Sequence, residues 1–235
     1  MATHLVTGAG AGIGAALARR LHERGDQLVL TARNRERAES LADSFPGARV
    51  VVADLADPAS LERTVEPALA DVDRLDSVQH VAGVVDLAPV ASIATAELRE
   101  QIDVNLVSPA ILTRMVLPAV RRARGLVLFV NSSAGLNASA DWAAYAASKF
   151  GLRALADSLR AEELEHGVRV TTVFPSRTAT AMQEKVHEQE GRVYDPSHWL
   201  TADTVVDTIL HVLDLPASAT IPEVVVRPLV PRPGT

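Results

Sequence analysis

The chain reads as an α/β protein built on a doubly wound parallel sheet. Three observations predict this class. Short apolar runs of strand length recur along the sequence, at Leu5-Val6, Gln27–Thr31, Arg49–Ala53, Ser77–Val81, Leu126–Val130 and Val168–Phe174. Segments of helical spacing separate them, and strand–helix alternation implies right-handed crossovers between parallel strands. The first strand runs into its helix through a glycine-rich turn, Thr7-Gly-Ala-Gly-Ala-Gly-Ile-Gly14. The whole chain, residues 1–235, is read as one domain.

Taken in order, the helix after the turn (Ala15 to Leu21 and beyond) should end at the glycine of Arg24-Gly25. Arg35 to Ser44 places Ala38, Leu41 and Ala42 on one inward face, and Pro58 to Ala70 opens with a proline, whose fixed φ suits a helix start. Ala96 to Ala123 reads as a long helix bent by Pro109 and Pro118, each lacking a backbone donor, and closed by Gly125. Leu126–Val130 is the most apolar run and predicts a central strand buried on both faces. Trp142 to His166 is a second long helix stopped by Gly167; Ala181 to Tyr194 reads as a polar, mobile segment, followed by a helix over Ala202–Leu213, a short strand at Glu223–Arg227 and a Pro-rich tail.

At 235 residues, 48% of them apolar, the chain can bury one sizeable core. Its net charge of −6, from 23 basic and 29 acidic residues, argues against nucleic acid as a partner. The cluster Arg121, Arg122 and Arg124 reads as a helix C-terminus, and Glu162, Glu163 and Glu165 as a solvated face. There is no cysteine, which excludes disulfides, thiol nucleophiles and thiolate metal sites. The seven histidines show no metal-ligand spacing, so no metal site is expected, and His80 reads as a core or rim residue. The N-terminus lacks a basic region followed by a long apolar one, and no apolar run approaches the roughly 18 residues of a membrane span. The expectation is a soluble, cytoplasmic protein with no membrane partner.

Ligands of such sheets bind outside the carboxyl ends of the strands, which puts the glycine turn and the segments after Thr31, Ala53, Val81, Val130 and Phe174 on one rim. At the turn, helix N-terminal N–H groups carry partial positive charge and glycines admit a pyrophosphate to the main chain, so a dinucleotide site is a hypothesis. Its spacing, Gly8, Gly12 and Gly14, differs from the usual G-x-G-x-x-G. A second chemical feature is Tyr145-Ala-Ala-Ser-Lys149, which sets a phenol and an ammonium four apart on one helix face, 13 residues after Ser132.

The glycine turn and the Tyr–Lys pair together closely resemble the short-chain dehydrogenase/reductase family, whose T-G-x-x-x-G-x-G and Y-x-x-x-K motifs they match. The resemblance runs from about Thr3 to Arg227 and implies a Rossmann fold. It also implies a catalytic set of Asn105, Ser132, Tyr145 and Lys149 and a cofactor cradle of Gly8, Gly12, Ile13 and Gly14. Asp54-Leu55 match the family's adenine-contacting pair, Ala82-Gly83 the end of its N-N-A-G segment, and Pro175 the proline after the sixth strand; Thr178 and Thr180 are candidates for the nicotinamide amide or pyrophosphate. By the same resemblance Lys149 holds the nicotinamide ribose and Asn105 supports a water linking the lysine to solvent.

Hydride transfer to a carbonyl leaves a developing alkoxide that needs a hydrogen-bond donor and a proton, the tasks assigned to Ser132 and Tyr145, with Ser133 as rival serine. A phenol titrates near about 10, and the Lys149 ammonium is expected to lower it. The residue after the second strand is Arg33, with no acidic residue before Glu36, so the adenosine ribose should carry a 2′-phosphate and the cofactor should be NADP(H). Arg35 or Arg37 is a candidate assistant.

Two departures from the family stand out: His80-Val81 replace both asparagines of N-N-A-G, and Ser176 follows Pro175 where glycine is usual. The substrate pocket is expected from Leu136 to Trp142, Val84 to Pro89 and Ala181 to His198, with Trp142, Met182, Tyr194 and Trp199, for a small carbonyl or alcohol of moderately apolar character. Small residues on the two long helices, Ala110, Ala147, Gly151 and Ala154, predict a homodimer, with a homotetramer as the further option. The leading function is an NADP(H)-dependent ketoreductase or alcohol dehydrogenase working without metal. The alternatives are a catalytically silent NADP(H)-binding sensor or scaffold, and an epimerase or dehydratase, ranked third because only about 60 residues follow Pro175.

Overall fold

The computed structural model describes residues 1–229. Seven strands, β1 (Thr3–Val6), β2 (Gln27–Ala32), β3 (Arg49–Val52), β4 (Ser77–His80), β5 (Leu126–Val130), β6 (Arg169–Pro175) and β7 (Glu223–Val226), form one sheet in the order β3-β2-β1-β4-β5-β6-β7. Every pairing is parallel. The chain winds outward from β1 to β3, returns to lay β4 on the other side of β1, and winds outward again. The strand order reverses between β1 and β4, so a crevice opens there at the carboxyl ends.

Side-chain alternation divides the core into two layers. Leu126, Leu128 and Val130 of β5 face the same layer as Leu17 and Leu21 of α1 (Gly12–Glu23) and Ile209 and Leu210 of α8 (Ala202–Leu213). Val127 and Phe129 face the layer of Leu112 and Leu152, from α5 (Ser108–Ala123) and α6 (Ala143–Glu163). β5 is buried along its full length, as its unbroken apolar sequence predicts. The remaining helices are α2 (Arg35–Ser44), α3 (Leu61–Ala68, after a 3₁₀ turn at Pro58–Ser60), α4 (Thr95–Ile102) and α7 (Ala181–Gln189).

Several local expectations change. On α2 Leu41 is buried and Ala38 half-buried, but Ala42 is exposed. The expected long helix runs over Thr95–Ala123 but changes pitch on the way: α4 passes into a π turn at Asp103–Val107 before α5, with the Ser108 N–H reaching back to the Asp103 carbonyl. Pro109, which cannot donate to the carbonyl four residues back, sits next to this break. α5 ends on Arg124, which takes the left-handed conformation at φ 49°, whereas Gly125 has another reason to be glycine: a Cβ there would come within 2.8 Å of the Leu75 and Asp76 carbonyls. Thr95–Ala123 is long and apolar enough to span a membrane by length and composition, with a mean hydropathy of 1.2; in this fold 44% of that window is buried.

The segment after β6 is ordered as α7, because Thr180 caps it by accepting from the Gln183 N–H and because Gln183, Val186 and His187 are buried. Glu163 is not solvated: its side chain is 1% exposed and takes two hydrogen bonds, at 2.8 and 2.6 Å, from Arg121. The Pro-rich tail lies outside the described residues from Val230 onward.

His80 is a core residue. Its ring stacks on Phe129 with centroids 4.9 Å apart, and Nε2 hydrogen-bonds Thr113 Oγ1 at 2.8 Å. Burial pushes its imidazole down to about 3, and burial likewise lowers His4. In the unfolded chain both titrate near about 6.5, so below that pH the unfolded state binds protons the native state does not. Stability is therefore complete above pH 6.5 and falls as pH drops toward 3. For His80 the loss at pH 5 amounts to about 2 kcal/mol. Urea unfolding at pH 7 and pH 5 should show His80→Asn losing ~1–2 kcal/mol less than wild type over that interval; an identical loss would refute the assignment.

Candidate active site

The glycine turn between β1 and α1 is shaped by two close approaches. Gly8 has φ 75°, and a Cβ there would lie 2.9 Å from the backbone of Ala82. Gly14, in the first turn of α1, lies against the Gly8 carbonyl, which leaves no room for any side chain. Thr7 secures the turn from below: its Oγ1 accepts from the Val81 and Ala82 N–H groups at 3.0 and 3.1 Å. These bonds hold the segment in which His80-Val81 replace the expected asparagines. α1 starts without a capping side chain and without an acidic residue in its first turn, so its N-terminal N–H groups remain suited to an anion.

A cleft of ≈ 2030 Å³ runs along the carboxyl edge of the sheet from this turn in both directions. Toward β2 it is lined by Arg33, Arg37, Asp54 and Leu55; toward β5 and β6 it reaches Ala82, Gly83, Ser132, Tyr145, Lys149, Pro175, Thr178 and Thr180. Gly8, Gly12, Ile13 and Gly14 line its middle. Arg33 and Arg37 are exposed and have no ion-pair partner among the described residues, whereas Arg35 is not part of the lining.

Ser132, Tyr145, Lys149 and Asn105 converge although three separate elements carry them. Ser132 follows β5, and its hydroxyl accepts from the Ala134 N–H at 3.1 Å; its side chain acts on the Tyr145 phenol, favouring the ionised form. Lys149 Nζ lies 5.7 Å from the centre of the Tyr145 ring and donates to the Val130 carbonyl at 3.2 Å. Asn105 sits in the π turn, where its carboxamide accepts from Val84 N–H and donates to Val84 C=O, both at 2.9 Å, and donates to Ser148 at 3.0 Å. The carboxamide is thus committed to protein at both ends and fixes the segment beside Gly83.

Electrostatics departs from the sequence expectation. Burial pushes the Tyr145 phenol up to about 12, with the Ser132 hydrogen bond working against it, and burial brings Lys149 down to about 8. Desolvation outweighs the ammonium here because both groups are buried, at 7% and 3% exposure.

Some pocket residues were misjudged or missed. Tyr194 does not line the cleft; it packs on His187 with ring centroids 5.2 Å apart. Asn131 bridges the site: Nδ2 donates to the Lys149 carbonyl and Oδ1 accepts from Ser132 N–H, at 2.9 and 2.8 Å. Arg177 lines the substrate side and pairs with Glu190. Asn131 heads the segment that matches the family's serine motif, whereas Arg177 had no local signal beyond its residue type.

The fold is a doubly wound α/β sheet with its main cleft at the carboxyl ends of the strands. The short chain dehydrogenase family model matches residues 2–191, and the chain belongs to that family. It is 27% identical over 228 residues to an uncharacterized oxidoreductase of Staphylococcus aureus (strain MW2), covering 96% of each chain. Among solved structures it is similar to an alcohol dehydrogenase of the archaeon Thermococcus sibiricus complexed with 5-hydroxy-NADP, with TM-score 0.85 and 25% identity over 100% of both chains. It is also similar to a metagenomic short-chain oxidoreductase in complex with NADP, with TM-score 0.79 and 32% identity over 98% of both.

Proposed function

We propose that this oxidoreductase interconverts a carbonyl compound and its alcohol with NADP(H), using Tyr145 as proton donor and acceptor. The observation that carries the reading is the convergence of Ser132, Tyr145 and Lys149 on one cleft, with the Lys149 Nζ 5.7 Å from the centre of the phenol ring. The side-chain-free turn at Gly8 and Gly14, the uncapped start of α1 and an exposed Arg33 with no ion-pair partner among the described residues suit a dinucleotide phosphate chain. A nicotinamide cofactor, when bound, supplies the hydride. A phenol raised to about 12 stays protonated at neutral pH, the form that gives its proton to a carbonyl oxygen as negative charge develops there. The Ser132 hydroxyl donates a second hydrogen bond to that oxygen, and the Lys149 ammonium lessens the cost of the phenolate left behind. Asn105 acts as a positioning residue through Val84 and Ser148. A silent sensor has no use for this set.

Solved neighbours were obtained with NADP and, in another case, with NADH. The preference for NADP(H) is therefore argued from Arg33, whose planar fork suits a 2′-phosphate, with Arg37 beside it in the lining. The reading includes a homodimer. Ala147, Phe150 and Ala154 form an exposed stripe on α6, and Leu98 of α4 is also exposed; Gly151 is excluded from that stripe, since it gives room to Leu106 of its own chain.

Three outcomes test this function. Tyr145→Phe should lower NADPH-dependent ketone reduction at least ~100-fold while NADPH binding, followed by fluorescence, stays within a few-fold; activity close to wild type would sink the mechanism. Arg33→Asp should move the NADPH/NADH ratio of kcat/KM toward NADH by at least ~tenfold, and an unchanged ratio removes Arg33 as selector. Sedimentation at micromolar concentration should give a dimer, and Phe150→Glu should shift it toward monomer; a wild-type monomer would refute the interface.

A further inference from the structure

The following inference deepens the carbonyl-reductase reading and rests on it for the location of the substrate compartment. Around Tyr145 the cleft wall is apolar: Val85, Ala134 and Val186 form a buried cluster with the tyrosine, and Leu87 and Trp142 pack against it. The outer part of the same wall carries a guanidinium. Arg177 lies over two indoles, 5.7 Å from the ring centre of Trp142 and 5.5 Å from that of Trp199. It donates to both carboxylate oxygens of Glu190, at 2.7 and 2.5 Å. The two side chains are only 20% and 14% exposed.

An arginine presented between aromatic faces is a ready receptor for a substrate carboxylate. Here the chain's own carboxylate occupies that receptor, and Arg177 holds Glu190 below the usual carboxylate range. A second cation at this end of the cleft, Lys185 of α7, is likewise paired, with Asp86 at 2.5 Å. Arg192, which lies 4.0 Å from Glu190 and is half exposed, shares the same carboxylate. An incoming anion would have to displace Glu190 or sit beside it where solvent screening is weak, whereas an uncharged, apolar-bodied molecule meets neither obstacle.

We propose that the Arg177–Glu190 pair is a charge filter: it makes the compartment accept uncharged carbonyl compounds of apolar body and reject those bearing a carboxylate. Calorimetric titration of the full chain with octanamide and with octanoate tests this without turnover. Wild type should bind octanamide at least ~tenfold more tightly than octanoate. Glu190→Gln, which keeps shape and hydrogen-bonding capacity, should tighten octanoate at least ~tenfold, and adding Arg177→Met should abolish that gain. Arg177→Met alone, which leaves Glu190 uncompensated, should leave octanoate weaker than in wild type, a second result that does not depend on how the glutamine variant folds. Octanoate binding wild type as well as octanamide, no gain in Glu190→Gln, or no binding of either compound would overturn the filter. Ketone reduction with NADPH, measured in parallel on wild type, separates the two readings: selective amide binding without reduction would sink the reductase assignment alone.

Discussion

The hydroxyl of Thr7 accepts hydrogen bonds from Val81 and Ala82, and this joins the two halves of the sheet where strand order reverses. Much of the site depends on that junction. With β1 and β4 tied at their carboxyl ends, the glycine turn is pressed onto Ala82, where only a residue without Cβ and with positive φ fits Gly8. The same tie sets the height of Ala82 and Gly83 in the cleft, and Asn105 fixes the next residue, Val84, from the opposite side. Two side chains from different elements thus stretch one segment across the crevice. The family's asparagines were the expected supports there; His80 instead turns into the core onto Phe129 and Thr113.

Why some features were legible in the sequence and others were not follows from the range of the forces involved. The strand–helix alternation, the central burial of β5 and the ends of α1 and α6 rest on local periodicity and on glycines, both visible within a few residues. Tyr145 and Lys149 were legible because helical spacing alone puts them on one face. The fates of α7 and Glu163 depend on tertiary partners: Val186 and His187 are polar-segment residues until packed, and Glu163 reads as solvated until Arg121, 42 residues away, is brought to it. Tyr194 looked like a pocket aromatic by position, yet its ring is spent on His187. The π turn at Asp103–Val107 shows the same limit, since the prolines announced a bend without specifying its form.

The titration behaviour of the candidate site shows which effect prevails when charge and burial compete. A lysine four residues from a tyrosine suggests a lowered phenol pKa, and in water such a pair would behave that way weakly. Inside the sheet edge both groups lose solvent, and desolvation raises the phenol and lowers the ammonium, so each favours its neutral form. A neutral phenol is the form required of a proton donor to a carbonyl, and a lysine near about 8 changes protonation close to working pH. The proposed alcohol-oxidising direction needs the phenolate as proton acceptor, a form that rising pH favours.

That burial is sustained by backbone partners more than by other charges. Lys149 Nζ donates to the Val130 carbonyl, the Lys149 carbonyl accepts from Asn131, and Asn131 in turn holds the Ser132 N–H. A closed set of this kind spares each polar atom the full cost of leaving water, which for an unpaired buried group is roughly 1–3 kcal/mol. It also couples geometry to chemistry, because Ser132 and Lys149, from different elements, are both referenced to Asn131 at the end of β5. Moving the main chain at either one would therefore strain the other, because a single asparagine side chain, at the head of the segment that carries Ser132, holds both.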